Sequence, residues 1–239
     1  NPRRLNPAGL LYGYIGQHHV HDRDQPELLD VLGAMRSLLD DYEERMMVGE
    51  TMDEAFVYDK AAEYCGDGLL HLAFNFRLLH SRWSARRLGA AIRAWERALP
   101  ASGWPTWVLS NHDFPRHATR WGGPDPDARA RLSAILAICL PCTPLRSSGL
   151  ERVMVDGRLR REEIVDPPGQ KYWPFFKGRD GCRTPMQWSD GPQAGFTTGE
   201  AWLPVNPDHE RRSVQAQQGD SRSVLETYRR LIALRREHA

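Results

Sequence analysis

The sequence of 239 residues has no long apolar run, no excess of one charge and few cysteines. No run approaches the roughly 20 apolar residues that a membrane-crossing helix needs, so the sequence predicts no membrane partner. Lysine and arginine total 32 against 31 acidic residues, a net charge of +1. Because no surplus of positive charge is available to hold a polyphosphate, nucleic acid is not predicted as a partner either.

The four cysteines lack the pattern of a metal or redox site. Only Cys139 and Cys142 have CxxC spacing, and they end a predicted helix instead of beginning one. His19 and His21 in "QHHVHD" would share a strand face, but no third ligand follows at matching spacing. Neither a glycine-rich phosphate loop nor a nucleophile elbow is present. We therefore predict no metal site and interpret the thiols as buried or incidental.

The chain begins at Asn1, and its opening residues resemble neither a signal peptide nor a helix. They look like the middle of a longer chain, so any targeting segment would lie upstream. We take the cytoplasm as the expected compartment.

Apolar residues recur at helical spacing in four segments, which we predict to be helices. Asp24 and Glu27 have the spacing of a capping box before the first helix, as do Ser223 and Glu226 before the last. The large side chains of the third helix are predicted to face inward, namely Leu132, Ile135, Leu136 and Cys139. The predicted helices cover residues 24–42, 84–99, 126–140 and the segment from 223 onward.

Three apolar runs between these helices are predicted to be strands. They are "RMMVGE", "LLHLAFNF" and "WPTWVLSNHD", which end near Glu50, Phe76 and Asp113. The separations of about 26 and about 37 residues are close to the size of one βα unit. Runs such as "MMV" and "WVL" are apolar without alternation, as expected of strands buried on both faces of a parallel sheet. Parallel β/α is therefore the predicted fold class.

Polar side chains follow two of these strands: Glu50 after the first, and Asn111, His112 and Asp113 after the third. The loops that follow parallel strands in a β/α protein converge on one face, so these residues are candidates for a shared site. Two carboxylates a few ångströms apart meet the requirement for acid/base cleavage of a glycosidic bond. The alternative is that Glu50 and Asp113 only cap the helices that follow.

Several blocks of the sequence resemble one enzyme family, in that family's order. "VGET" at 48–51 resembles the general-acid motif, and "LSNHD" at 109–113 the last catalytic motif, of the α-amylase superfamily, glycoside hydrolase family 13. Blocks such as "HVHDRDQPE", "NHDFPRHATRWG", "GRDGCRTPMQW" and "WLPVNPD" are similar to its α-glucosidase and oligo-1,6-glucosidase group. The resemblance covers nearly the whole chain. It implies a (β/α)8 TIM barrel, a retaining glycoside hydrolase and no organic cofactor.

The resemblance also implies roles for individual residues. Glu50 matches the general acid/base, and Asp113 matches the carboxylate that stabilises the transition state. His112 matches a histidine that hydrogen-bonds sugar hydroxyls, Arg116 matches an arginine that closes the same subsite, and Asn111 is assigned to substrate binding with them. A proton donor near neutrality needs its carboxyl pKa raised by burial or by nearby negative charge, which a second carboxylate is expected to supply. The implied substrate is a small α-glucoside such as maltose or isomaltose.

The family's aspartate nucleophile has no counterpart in the sequence. Its motif, Gly-Phe-Arg-x-Asp, is absent, and the resemblance places it just upstream of Asn1. We therefore interpret the chain as a fragment of a larger catalytic domain, a partial barrel with strands five to eight, inactive alone. Strands five to seven would lie in residues 1–142, strand eight and a long active-site loop in 143–220, and a closing helix in 221–239. The amino-terminal half-barrel and the carboxyl-terminal β-sandwich would lie outside it.

Strand eight departs from the family pattern. In "TPLRSSGLERVM", three polar residues stand where the core is expected, namely Arg146, Ser147 and Ser148. An unpaired buried guanidinium would cost several kcal/mol, so the strand is predicted to be displaced or altered. In the loop after it, Trp173 and Trp188 are interpreted as structural, and the charged residues as internal salt bridges, including Arg179, Asp180 and Arg183.

Two other functions stay open at this point. A trehalose synthase of the same family would use the same residues but re-attach the glucose instead of releasing it. A non-catalytic, barrel-derived binding subunit is the other possibility, although the joint presence of Glu50, His112 and Asp113 argues against it. The preference for an α-1,4 or an α-1,6 linkage is not predicted.

Overall fold

The computed structural model describes residues 18–51, 60–145 and 154–238. These residues divide into two compact units. The first unit holds the described residues up to Asn75 together with Arg93–Pro105. The second unit holds Phe76–Ile92 and the described residues from Thr106 onward.

Short strands alternate with helices along the chain. The strands are β1 (Val48–Gly49), β2 (Leu72–Ala73), β3 (Thr106–Val108) and β4 (Thr143–Leu145). The longer helices are α1 (Glu27–Asp40), α4 (Ala85–Ala98), α6 (Pro126–Cys139) and α10 (Val224–His238). The shorter helices are α2 (Lys60–Glu63), α3 (Arg77–His80), α5 (His117–Trp121), α7 (Pro167–Tyr172), α8 (His209–Arg212) and α9 (Val214–Gln217).

Both strand pairs are parallel. β1 pairs with β2, with Val48 opposite Leu72, and β3 pairs with β4, with Thr106 opposite Thr143. Each pair joins strands that are consecutive in the chain and separated by helix, as predicted for a parallel β/α protein. β4 lies at the start of the segment in which strand eight is predicted, and the predicted displacement of that strand falls on residues 146–153, outside the described part of the chain.

Burial of the strands differs between the two pairs. β3 is buried throughout, which confirms the prediction from its unbroken apolar run "WVL", and β2 is buried as well. The same prediction is wrong for β1, where Val48 is 42% exposed. Within the described residues β1 has β2 as its only sheet neighbour, so one edge of β1 is not covered by a strand.

Helix α1 forms as predicted, but its apolar stripe is not buried. None of its residues is buried, and its exposed apolar side chains are Leu28, Leu29, Val31, Met35 and Leu38. The predicted capping box is also wrong, because α1 begins at Glu27 after Pro26 and has no side-chain cap. The Asp24 carboxylate instead accepts a hydrogen bond from the Tyr64 hydroxyl at 2.6 Å.

The core of the second unit lies between α6 and α10. Its buried members include Ala130, Ala134, Ile138, Val224 and Tyr228. The predicted inward face of α6 is therefore wrong: Leu132, Ile135 and Cys139 are exposed, and the small residues face the core. Alanine allows two helix backbones to approach closely, so the side of α6 that packs is set by its partner and not by its largest side chains.

Helix α10 has half of the predicted capping box. The Ser223 hydroxyl accepts a hydrogen bond from the Glu226 amide at 3.2 Å. The Glu226 carboxylate does not return to Ser223 but accepts from the amide of Gly219 at 3.2 Å, because the Ser223 amide already donates to the Asp220 carbonyl.

Residues 154–220 have little regular structure, as their lack of periodicity predicts. Polar side chains bonded to the backbone hold this segment in place. The Asp180 carboxylate accepts from the amides of Val165 and Asp166, at 2.7 and 2.8 Å, and the Asn206 amide donates to the Val155 carbonyl at 2.7 Å. None of the helices in the described ranges is long and apolar enough to cross a membrane.

Candidate active site

Asp113 lies in the tight turn that follows β3. The side-chain oxygen of Asn111 accepts hydrogen bonds from the backbone amides of Asp113 and Phe114, at 3.0 and 3.1 Å. This is an Asx turn, in which a short polar side chain replaces a backbone acceptor. Asn111 therefore shapes the loop that carries Asp113, which explains why a buried strand ends abruptly in Asn-His-Asp.

Three cationic or potentially cationic groups surround the Asp113 carboxylate. Its Oδ1 atom lies 2.8 Å from Nη2 of Arg183, 3.2 Å from Nη1 of Arg179 and 3.6 Å from Nε2 of His112. Charge-assisted hydrogen bonds of this length fix the orientation of a carboxylate. The His112 ring is mostly exposed, whereas the His112 carbonyl accepts from Nε of Arg183 at 2.8 Å.

Arg179 joins Asp113 to a second carboxylate. Its Nη2 atom lies 2.7 Å from Oδ1 of the buried Asp166, and its Nε atom lies 3.2 Å from Oδ2 of the same residue. The hydrogen bonds from Arg179 lower the pKa of Asp166, and Asp166 raises the pKa of Arg179. The predicted internal salt bridge is confirmed for Arg179, whose partner Asp166 lies in the same loop, whereas Arg183 pairs with Asp113 outside it. Asp180 bonds to backbone amides instead.

Sequence reasoning missed that Arg179 and Arg183 belong to the surroundings of Asp113. The two arginines lie 66 and 70 residues beyond Asp113, and no local pattern in the sequence signals a contact over that distance. Arg183 ends a short 3-10 helix, Asp180–Arg183, and Arg179 directly precedes it.

Arg116 is buried and bonded to the backbone of a distant segment. Its guanidinium donates to the carbonyls of Val155 and Gly181, at 3.2 and 3.1 Å, and to Oγ1 of Thr184 at 3.1 Å. Burial lowers the pKa of Arg116, and the nearby Asp156 opposes this effect. These contacts anchor the long loop beside the site, while the contact of Arg116 with a sugar stays a prediction.

Helix α5 fixes the start of the loop that carries Asp113. The Ser110 hydroxyl accepts from the backbone amide of His117 at 2.7 Å and lies 3.3 Å from its Nδ1 atom. Arg120 donates to the carbonyls of Leu79, Leu109 and Pro115. Burial lowers the pKa of His117 to about 3 and that of Arg120 to about 10. The backbone on both sides of Asn111–Asp113 is therefore held by buried side chains.

Glu50 follows β1 directly, at the carboxyl end of the strand, in the first unit. The amide of Phe74 donates to the Gly49 carbonyl at 2.9 Å, so the backbone up to Glu50 is fixed by β2. Glu50 is exposed, unlike the buried environment expected of a proton donor. Its pairing with Asp113 stays a prediction.

Metal ligands and reactive thiols are not features of the described site. Among residues 18–51, 60–145 and 154–238, no three His, Cys, Asp or Glu side chains are grouped to hold a metal ion. The four cysteines are free, and Cys139 is exposed. Cys182 lies beside the loop, with Sγ 3.3 Å from the His112 carbonyl, and burial raises its pKa to about 11.

Parallel strand pairs with helical crossovers define a parallel β/α protein, and polar residues follow two of its strands. Comparison with known families specifies which one. Residues 8–239 match the family described as "Alpha amylase, catalytic domain". The chain belongs to this family.

Individual relatives agree with this assignment. The chain is 39% identical to a probable alpha-glucosidase of Rhizobium meliloti (strain 1021), over 98% of this chain and 44% of that protein. It is 31% identical to Maltase A1 of Drosophila melanogaster, over 92% of this chain and 40% of that protein. The chain therefore spans less than half the length of these relatives.

Solved structures resemble the whole described fold. A crystal structure of an alpha-glucosyl transfer enzyme is 37% identical, with a TM-score of 0.88, over 99% of this chain and 45% of that one. A trehalulose synthase from Pseudomonas mesoacidophila MX-45 is 26% identical, with a TM-score of 0.77, over 90% of this chain and 44% of that one.

Proposed function

We propose that the polypeptide containing this chain is a retaining α-glucosidase that releases glucose from short α-glucosides such as maltose or isomaltose. The observation that carries the proposal is the Asp113 carboxylate, held at the end of a buried parallel strand by Arg179 and Arg183. The similarity to a probable alpha-glucosidase along nearly the whole chain supports the same activity.

The proposal assigns the strands and segments as the sequence resemblance implies. β1 to β4 correspond to strands five to eight of a (β/α)8 barrel, with the long active-site loop in residues 143–220 and the closing helix in 221–239. Parallel pairing of β1 with β2 and of β3 with β4 supports this order. Loops after such strands form the active face of a barrel.

In the proposed mechanism, Glu50 protonates the oxygen of the leaving group while an aspartate outside this chain attacks the anomeric carbon. Retaining enzymes hold the two carboxyl groups about 5 to 5.5 Å apart for this purpose. Glu50 then removes a proton from water, which hydrolyses the glycosyl-enzyme ester. Asp113 and His112 bind ring hydroxyls most strongly in the oxocarbenium-like transition state, because that state carries the positive charge.

Transfer of the glucosyl group to another acceptor is the second candidate function. The similarity to an alpha-glucosyl transfer enzyme, at a TM-score of 0.88, favours it. Both functions use the same first step, and they differ in whether water or a sugar hydroxyl accepts the glucosyl group. Product analysis after incubation with maltose separates them, because hydrolysis gives glucose alone and transfer gives a new disaccharide or a longer product.

The experiment that tests the proposal is Glu50→Gln in the full-length protein. We expect the loss of maltose hydrolysis, with turnover retained on glucosides whose leaving group needs no protonation. Glu43→Gln, an equally isosteric change at an exposed residue of the same unit, is the control and should leave both rates unchanged. Full activity of Glu50→Gln on both substrates would refute the assignment.

A further inference from the structure

A surface cleft of about 630 Å³ lies in the second unit, and the proposed mechanism does not use it. Its lining comes from three segments, residues 160–165, residues 193–194 and residues 200–205, and from His209. None of the residues that contact Asp113 lines this cleft. Its volume lies within the range of small-molecule binding sites.

One aromatic ring is displayed in this cleft. Trp202 is 59% exposed, although its neighbour Leu203 is fully buried. Because Leu203 packs in the interior, the backbone of Trp202 is fixed while its ring stays at the surface. An exposed indole offers a ligand a large, flat apolar face with a hydrogen-bond donor at its edge.

Hydrogen-bonding groups surround the ring. Arg160 joins two carboxylates, with Nη1 3.1 Å from Oε1 of Glu162 and Nη2 2.7 Å from Oε1 of Glu163. This bonding holds three charged side chains together in one of the lining segments. Glu200 and Gln193, in the other two lining segments, are exposed and add further acceptors and an amide.

The backbone of the second lining segment is strained. Gln193 and Ala194 have φ angles of 52° and 51°, in the left-handed region that residues with a Cβ rarely adopt. Two hydrogen bonds hold this conformation, since the amides of Trp188 and Ser189 donate to the Ala194 carbonyl at 2.8 and 3.0 Å. Strain of this kind persists where the surroundings enforce it, and it concentrates at ligand sites.

We propose that this cleft binds a chain of α-linked glucose units, with one pyranose ring stacked on Trp202. A sugar ring has an apolar C–H face that suits an indole and a rim of hydroxyls that suits carboxylates, amides and a guanidinium. The choice of α-glucan as the ligand rests on the proposed function, whereas the sugar-binding chemistry rests on the cleft itself. The site would hold a longer substrate by a part that is not being cleaved.

Native gel electrophoresis of the full-length protein, with and without amylopectin in the gel, tests the proposal. We expect amylopectin to retard the parent protein, and Trp202→Ala to weaken this binding about tenfold or more, as removal of an aromatic anchor does. Trp202→Phe, which keeps a flat ring, should retain part of the binding. Trp104→Ala is the matched control, because Trp104 is 52% exposed and lies outside the cleft.

Two results would overturn the proposal: no retardation of the parent protein, or equal retardation of the parent and Trp202→Ala. Glucose release from a small chromogenic α-glucoside, measured on the same samples, should be unchanged by Trp202→Ala. If the parent releases no glucose but still binds amylopectin through Trp202, the proposed function fails while the binding site stands.

Discussion

The two units place similar apolar sequences in opposite environments. In the first unit, α1 has a regular apolar stripe, yet Leu38 is 63% exposed and no residue of the helix is buried. In the second unit, α10 has a comparable stripe, and Tyr228 is 1% exposed against α6. Periodicity therefore predicts where a helix forms, but burial depends on whether another element lies against its apolar face.

The largest expected effect is a loss of stability when a buried side chain of the second unit is removed. Tyr228→Ala removes a ring from the buried cluster between α6 and α10, and we expect unfolding free energy to fall by about 3 to 5 kcal/mol. Urea unfolding followed by circular dichroism measures the change. Tyr42→Ala, the same substitution at an exposed residue of the first unit, is the control and should cost well under 1 kcal/mol. Equal losses in the two variants would contradict the comparison.

A change of pH is expected to alter the stability of the second unit by a smaller amount per pH unit. Burial and the nearby Arg120 hold the pKa of His117 at about 3, below the ordinary value of 6.5. Between these values the unfolded chain binds a proton that the folded chain does not, so stability is full above about pH 6.5 and falls as pH decreases towards 3. The slope is at most about 1.4 kcal/mol per pH unit.

Urea unfolding at a series of pH values between 7 and 4 measures this slope, and the expected result is a flatter profile for His117→Phe. His238→Gln, at an exposed residue near the end of α10, serves as the control and should keep the slope of the parent. An unchanged profile for His117→Phe would mean that other groups cause the loss at low pH.

The smallest effect is expected in the first unit. Leu38→Ala should change the unfolding free energy by no more than about 0.5 kcal/mol, because the leucine is largely in water and alanine is an equally good helix former. The matched change Leu225→Ala, at a buried position of α10, should cost about 2 to 4 kcal/mol. A loss of similar size at Leu38 would place that residue in a packed interface and remove the difference between the units.

Features set by nearby residues could be predicted from the sequence. Helices α1, α4, α6 and α10 lie within their predicted segments, because periodicity is a local property. The face of α6 that packs could not be predicted, since it depends on α10, which is distant in sequence. The contacts of Asp113 with Arg179 and Arg183 were missed for the same reason, and so were the buried bonds of Arg116.

The loop that carries Asp113 was predicted in position but not in geometry. The Asn-His-Asp turn after a buried strand was recognisable because a polar trio ends an apolar run. The hydrogen bonds of Asn111 to the backbone could not be recognised from the sequence, nor could the buried contacts of His117 and Arg120. They arise from packing beneath the loop, which leaves no periodic pattern in the sequence.

The two arginines that orient Asp113 lie 66 and 70 residues further along the chain. Contacts of such sequence separation must close a long loop at a cost in chain entropy, so we expect them to form after the local turn. β3 and its turn can therefore be complete while the carboxylate is still unrestrained. A proteolytic cut in an exposed stretch between residues 154 and 178 should delay the pairing of Asp113 with the two arginines. On refolding, the site would then form more slowly than the secondary structure.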